Sequence, residues 1–131
     1  MVFRNQFWFL SNMYPYPMTV NGIRYTCVES AFQSFKLNDR EARWQFSNLN
    51  GFEAKKLGRR VQLRSDWNEI KVEVMYRLLK IKFNGELGIK LKSINGPIVE
   101  ENTWGDTFWG VCRGRGQNQL GILLERVRSE L

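Results

Sequence analysis

The dipeptide Asn21-Gly22, set between Val20 and Ile23, restricts the fold of this chain more than any other short stretch. Both residues accept the positive φ angles that a two-residue hairpin turn requires, and the apolar residues beside them suit strands. The segment MTVNGIRYT is therefore predicted to form an antiparallel hairpin. The prolines of the preceding SNMYPYP prevent regular structure there, and residues 7–9 (WFL) are expected to form a further short strand.

Apolar residues recur at helical spacing through most of the remaining chain. Helices are predicted from Thr26 to about Asn38, over 40–47, 51–62 and 86–94, and after Asn118 to the end, with Asn118 placed to cap the last one. The predicted apolar face of this last helix comprises Leu120, Leu123, Leu124, Val127 and Leu131. Strand-like residues at 98–101 and 108–112 flank the loop NTWGDT. This pattern predicts a helix-rich α+β fold with a small, mainly antiparallel sheet. Because the chain contains no repeat, low-complexity tract or linker, one domain is expected across residues 1–131.

The clearest helical pattern begins at Ser65 or Asp66 and ends at Asn84-Gly85. Its predicted buried face comprises Trp67, Ile70, Val74, Leu78 and Ile81.

The chain contains no histidine, which removes the commonest general base and the commonest metal ligand. Any chemistry must use carboxylates, amines, amides and the backbone. Cys27 and Cys112 lie far apart and outside any CxxC pattern, so neither a zinc site nor a disulfide framework is indicated. We expect two buried, reduced thiols and no metal.

The formal charge of +7 and the pI near 9.7 favour an anionic partner, with nucleotides or nucleic acid first. The alternative is that the charge serves solubility alone. No apolar run approaches the roughly 18 residues of a membrane span, and the first residues do not resemble a signal peptide. The chain is therefore expected to be cytoplasmic, without a membrane partner.

Glu29, Gln33 and Lys36 share one face of the first long predicted helix, within about 60° of each other. A carboxylate and an amine two turns apart can form a reaction centre, with the amide between them able to bond either one. The alternative is structural. Thr26 and Glu29 have the spacing of a capping box, in which case Gln33 and Lys36 would be solvated surface.

Three further stretches can carry binding. The loop NTWGDTFWGV offers indole rings for stacking a base and Asp106 for a ribose, unless Trp104 and Trp109 plug one end of the core. CRGRGQN places two arginines and two glycines before a predicted helix N-terminus, which suits an anion. AKKLGRR places Lys55 and Arg59 one turn apart, where they could straddle a phosphate or be solvated.

Eight short blocks occur in an order that resembles one known family. They are FLSNMYP (9–15), YTCVESAFQSFK (25–36), AKKLGRRV (54–61), DW (66–67), VM (74–75), KF (82–83), IVEENTWGDTFWGV (98–111) and GQNQLGILLERVR (116–128). Nearly end to end, the chain is similar to the NADAR or YbiA-like family, whose name refers to NAD and ADP-ribose. One departure is Met13, where the family often has Phe.

The resemblance implies an N-glycosidase that hydrolyses the C1–N bond between ribose and a base. Some members act on early riboflavin-pathway ribosylamines, and others remove ADP-ribose from modified guanine in nucleic acid. The basic charge favours an ADP-ribosylated guanine base, as a nucleoside or within nucleic acid, over a ribosylaminopyrimidine phosphate. Two alternatives stay open: a non-catalytic module that binds ADP-ribose or a related nucleotide, and a basic protein that coats nucleic acid.

By resemblance, Glu29 stabilises the oxocarbenium-like transition state or activates water. Lys36 either protonates the departing base or attacks C1 to form a Schiff base. The resemblance also implies residues for substrate binding. Lys55 and Arg59 would bind phosphate, and Asp106 and Trp109 would bind sugar and base. The others are Asn12, Gln33 and, at the last helix, Asn118. No cofactor is required. Either Glu100 or Glu101 could align with an acidic residue of the family, so neither is assigned a catalytic role.

Overall fold

The computed structural model describes all 131 residues, which pack as two compact units. One unit comprises Met1–Ser11 and Phe83–Leu131, and the other comprises Asn12–Lys82. Six α-helices, two 3-10 helices and four short strands form the regular structure, which confirms the predicted helix-rich α+β class. The strands form two separate two-stranded sheets. A single domain across residues 1–131 stays a prediction.

The predicted hairpin is present in the Asn12–Lys82 unit. Strands β1 (Met18–Val20) and β2 (Ile23–Tyr25) pair antiparallel. Asn21 and Gly22 have φ angles of 52° and 80°, as the turn requires. Since Ile23 and Tyr25 are buried, the hairpin has one face in the core.

Helix α1 (Val28–Ser34) is shorter than predicted and begins differently. Its N-cap is Cys27, whose amide donates to the Ser30 hydroxyl at 3.3 Å. The hydroxyl of Thr26 donates instead to a backbone carbonyl 23 residues further along, at 2.6 Å. The alternative capping box of Thr26 and Glu29 is therefore wrong, because the extended cap conformation falls one residue later than the spacing suggested.

Three further α-helices complete this unit. They are α2 (Arg40–Arg43), which continues into a 3-10 helix (Trp44–Phe46), then α3 (Gly51–Gly58) and α4 (Trp67–Lys82). A capping box between Asn50 and Glu53 begins α3. The helix ends at Gly58, four residues before the predicted end.

Helix α4 buries Trp67 and Leu78 of the predicted face, but towards its end the buried face is rotated from the predicted one. Met75, Leu78, Leu79 and Lys82 are buried at i, i+3, i+4 and i+7, while Ile81 is 40% exposed. Consecutive helical residues are separated by about 100°, so a shift of one residue puts Lys82 where Ile81 was expected. A lysine therefore closes the buried face of this helix.

The other unit contains a 3-10 helix (Asn5–Leu10), α5 (Glu86–Lys92), β3 (Glu101–Asn102), β4 (Val111–Cys112) and α6 (Gln119–Ser129). The predicted strand at residues 7–9 is wrong, since a short apolar run does not distinguish a strand from a helical turn. Strands β3 and β4 pair parallel and are shorter than the predicted strands.

Helix α6 buries the predicted face of Leu120, Leu123, Leu124 and Val127, whereas Leu131 lies beyond the helix and is exposed. Of the two cysteines, Cys27 is buried but Cys112 is only partly buried, so the expectation of two buried thiols holds for one. None of the helices combines the length and the apolarity that crossing a membrane would take.

Candidate functional site

The polar row of α1 forms a connected group in the Asn12–Lys82 unit. The Gln33 amide nitrogen Nε2 donates to Glu29 Oε2 at 2.6 Å. Gln33 is only 5% exposed, and its Oε1 is buried without a hydrogen-bond partner. Lys36 follows in the turn after the helix, its amide bonded to the Gln33 carbonyl. This row is therefore a packed cluster, not the solvated side of a helix.

Gly58 lets α3 approach this cluster closely. The Lys36 ammonium Nζ donates to the Gly58 carbonyl at 3.2 Å. A Cβ at Gly58 would overlap Gln33 Oε1 and would lie 3.3 Å from Lys36 Nζ. Only glycine leaves room for both side chains, so the last turn of α3 holds the amine and the amide together.

The environment of Lys36 favours its neutral form. Partial burial lowers the pKa of the amine, because the charged form loses hydration, and the neighbouring cations Arg59, Lys55 and Lys71 lower it further. The negative charge of Glu29 acts in the opposite direction. A depressed pKa makes an amine a better nucleophile near neutral pH and its ammonium form a better acid.

Asn12 lies beside the same helix. Its carbonyl accepts the Glu29 amide at 3.0 Å, and its side-chain nitrogen donates weakly to Met75 Sδ at 3.6 Å. Asn12 Oδ1, like Gln33 Oε1, is buried without a partner. Buried acceptors are nearly always satisfied in native proteins, so these two oxygens retain hydrogen-bonding capacity that the fold itself does not use.

Three cations act on Lys36 electrostatically. Two of them, Lys55 on α3 and Arg59 directly after it, are the residues predicted to bind phosphate. The third is Lys71 on α4, which the sequence reasoning missed because nothing in its spacing separates it from a solvated helix face. Their summed positive charge makes this region suited to an anionic ligand.

In the other unit, Asp106 organises the loop between β3 and β4. Its Oδ1 accepts the amides of Phe108 and Trp109 at 3.1 and 2.9 Å. The Asp106 backbone amide donates to Asn102 Oδ1 at 3.1 Å, and the Asp106 carbonyl accepts a hydrogen bond from Asn102 Nδ2 at 2.9 Å. Asp106 therefore shapes this loop, and its predicted contact with a ribose stays a prediction.

Asn118 is also tied to the backbone. It precedes α6 at the predicted N-cap position with φ of 53°, but its side chain makes no capping hydrogen bond. Instead its Nδ2 donates to the Ile98 carbonyl and its Oδ1 accepts the Glu100 amide, both at 2.9 Å. The capping prediction is wrong because the carboxamide joins α6 to the segment before β3. Its role in substrate binding stays a prediction.

Glu100 and Glu101, which the sequence left equivalent, differ in the structure. Glu100 is 8% exposed, and its Oε2 accepts Asn102 Nδ2 at 3.0 Å. Glu101 is exposed and pairs with the amino group of Met1 at 2.6 Å. A Cβ at Gly110 would overlap Glu100 side-chain and backbone oxygens. The buried carboxylate therefore belongs to the packed interior of the loop.

The two tryptophans of the loop also differ. Trp109 is partly buried and packs edge-on against Phe108, with ring centroids 4.9 Å apart. Trp104 is 59% exposed. The alternative that both plug the core is therefore wrong for Trp104, whose indole is presented to solvent.

The predicted site residues thus divide between the two units. The Asn12–Lys82 unit holds Asn12, Glu29, Gln33, Lys36, Lys55 and Arg59, and the other unit holds Asp106, Trp109 and Asn118. Contacts and charge effects connect the first group to one another.

Comparison with known proteins identifies the family of the chain. Residues 2–131 match the NADAR domain. The riboflavin biosynthesis protein VVA0006 of Vibrio vulnificus (strain YJ016) is 36% identical over 131 residues; the alignment covers 94% of this chain and 35% of that protein. The N-glycosidase YbiA of Escherichia coli (strain K12) is 32% identical over 127 residues, covering 92% of this chain and 79% of that protein.

A solved structure is similar as well. The NMR structure of the E. coli protein YbiA matches with a TM-score of 0.83 and 28% identity, covering 99% of this chain and 83% of that chain.

Proposed function

Because the chain belongs to the NADAR domain family, we propose that it is an N-glycosidase that hydrolyses the ribose C1–N bond of a phosphorylated ribosyl compound. The observation that carries this proposal is the cluster of Glu29, Gln33 and Lys36, in which a carboxylate and an amine of lowered pKa lie close together. The name of the relative YbiA, an N-glycosidase, supports the same reaction class.

The reaction needs negative charge near the sugar. As the C1–N bond breaks, its electron pair leaves with the base and positive charge develops on C1 and the ring oxygen. Glu29 stabilises this charge or takes a proton from the attacking water. Its amide is held by Asn12 and one carboxylate oxygen by Gln33, so the carboxylate is oriented before substrate arrives.

Lys36 acts either as a proton donor to the leaving base or as a nucleophile at C1. As an ammonium it gives a proton to the departing nitrogen; as a neutral amine it bonds to C1 and is later released by water through a Schiff base. The depressed pKa supports either role. In both, water supplies the oxygen finally bound to C1.

The remaining polar groups fit a phosphorylated sugar. Asn12 and Gln33, which the resemblance implies for substrate binding, hold Glu29 in place beside the sugar. Lys55 and Arg59 neutralise phosphate. The resemblance also implies Asp106 and Trp109 for sugar and base, and Asn118 at the last helix; these three residues lie in the other unit, and their roles stay predictions.

Within this class, we propose ADP-ribose linked to a modified guanine as the substrate, as a nucleoside or within nucleic acid. The net charge of +7 supports a polyanionic substrate. A second candidate is a ribosylaminopyrimidine phosphate of riboflavin synthesis, favoured by the name of the relative VVA0006, of which this chain spans about a third.

Incubating the purified protein with ADP-ribosyl-guanosine and, separately, with a ribosylaminopyrimidine phosphate tests both candidates. Mass spectrometry of the released base identifies the substrate. Glu29→Gln should lower turnover by about a hundredfold or more, because it removes the charge and keeps the shape. Glu69→Gln, at an exposed position of α4, is the matched control and should retain activity.

Binding is measured on the same proteins by calorimetry with ADP-ribose. If no base is released but ADP-ribose binds, the chain is a binding module and the enzymatic proposal fails. If turnover is unchanged in Glu29→Gln, Glu29 has no catalytic role. Thermal unfolding should be almost unchanged in this variant, since Cys27 and Ser30 form the cap of α1.

A further inference from the structure

A groove of about 350 Å³ lies within the unit formed by Met1–Ser11 and Phe83–Leu131. Its lining includes Trp104, Arg4 and Arg113. None of these three residues belongs to the proposed catalytic cluster. The volume is at the small end of the range for ligand sites, about 300–1,000 Å³, which suits one planar ring with its attached phosphate.

Arg113 occupies a backbone conformation that arginine rarely adopts. It is the first central residue of a tight turn closed by hydrogen bonds between Cys112 and Arg115, at 2.8 and 3.1 Å. Its φ is 54°, and Gly114 follows with 76°. Asn or Gly would fit this position without strain. A strained residue with an exposed, charged side chain points to a function of that side chain.

The charges around the groove favour an anion. Arg4 and Arg113 make no ion pair and no side-chain hydrogen bond within the protein. The acidic residue in the lining, Glu101, has its carboxylate 2.6 Å from the amino group of Met1. The two guanidinium groups are therefore available to phosphate oxygens, which they can bind in bidentate fashion.

Trp104 supplies a surface for a base. Its side chain is 59% exposed, and the next residue, Gly105, has φ of 86° with open space where a Cβ would be. An exposed indole flanked by arginines is the combination with which proteins bind single strands, stacking bases on the ring and holding phosphates with cations. We propose that this groove binds single-stranded nucleic acid, with one base on Trp104 and the neighbouring phosphates on Arg4 and Arg113.

The test measures fluorescence anisotropy of a labelled ten-residue oligothymidylate across a salt series. Trp104→Ala should weaken binding at least about fivefold, as expected for one stacked base. Arg113→Ala should weaken it and reduce the salt dependence by about 0.7 in the log-log slope, the value for one phosphate contact on a single strand. Arg113→Gly should weaken binding in the same way while raising the thermal midpoint, because it relieves the strained turn.

Two matched controls lie outside the groove. Arg115→Ala removes the same charge from the same turn, and Trp44→Ala removes a 45% exposed indole from the other unit. Both should bind close to wild type. Equal losses in Arg113→Ala and Arg115→Ala would overturn the proposal in favour of nonspecific charge attraction. If thymidine monophosphate competed as effectively per molecule as the oligonucleotide, the proposal would be overturned in favour of a mononucleotide ligand. If polyglutamate competed, it would be overturned in favour of an acidic protein.

Discussion

Lys82, at the end of α4, is 1% exposed, and its ammonium lies 5.5 Å from the centre of the Tyr14 ring. Loss of hydration on burial lowers its pKa from 10.5 to about 7, and an electrostatic interaction with Cys27 acts in the opposite direction. Between these two pKa values the unfolded chain binds more protons than the folded one. The free energy of unfolding should therefore rise with pH from about pH 7 towards pH 10.5.

Replacing this lysine isolates its contribution. The linkage relation, applied between pH 6.5 and pH 9, assigns Lys82 an increase of about 2.5 kcal/mol in the free energy of unfolding. Lys82→Met keeps a chain of similar length without the titrating group, so it should lack this increase. Urea unfolding of wild type and variant at both pH values measures the difference. Lys92→Met, at an exposed position of α5, should behave as wild type.

The titrating groups that do not interact with Lys82 are shared by the compared proteins and cancel in the difference between them; Cys27, which does interact with it, is removed by making both proteins in the Cys27→Ala background. If wild type and Lys82→Met gained equal stability from pH 6.5 to pH 9, the inference that Lys82 is buried with a depressed pKa would be refuted. A smaller gain in the variant at any absolute stability would support it.

Three further predictions concern close contacts and charge. Gly110→Ala should destabilise the protein by about 2 kcal/mol, measured by urea unfolding, because the new methyl group would overlap a backbone oxygen that cannot move aside; unchanged stability would contradict the packing. Gly58→Ala should lower turnover by about tenfold, because the new methyl group displaces the Gln33 amide. Its thermal unfolding should stay near wild type, since the better helix propensity of alanine offsets the strain by up to about 1 kcal/mol. Full activity would exclude a role of Gly58 in positioning Gln33. Arg59→Met removes a cation that lowers the Lys36 pKa, so this pKa should rise and the corresponding limb of the pH profile of kcat/KM should move to higher pH; an unmoved or acid-shifted limb would contradict it.

Features with a local cause were predictable from the sequence. The Asn21-Gly22 turn needs only two residues that accept positive φ, and the hairpin formed as predicted. The apolar spacing of α6 predicted its buried face. The ordered blocks predicted the family, whereas the catalytic roles that they imply for Glu29 and Lys36 stay predictions. None of these inferences required knowledge of what packs against the segment.

Features that depend on a distant partner were decided by the tertiary structure. Lys82, and not Ile81, is buried because the neighbours of α4 select one helix face from several apolar residues. Asn118 bonds the backbone near Ile98, so it does not cap its own helix. Gly58 matters because Gln33 and Lys36 approach it from 25 and 22 residues away. Local sequence sets the turns and helical periods, whereas burial, hydrogen-bond partners and pKa values arise from contacts between segments that the sequence pattern does not pair.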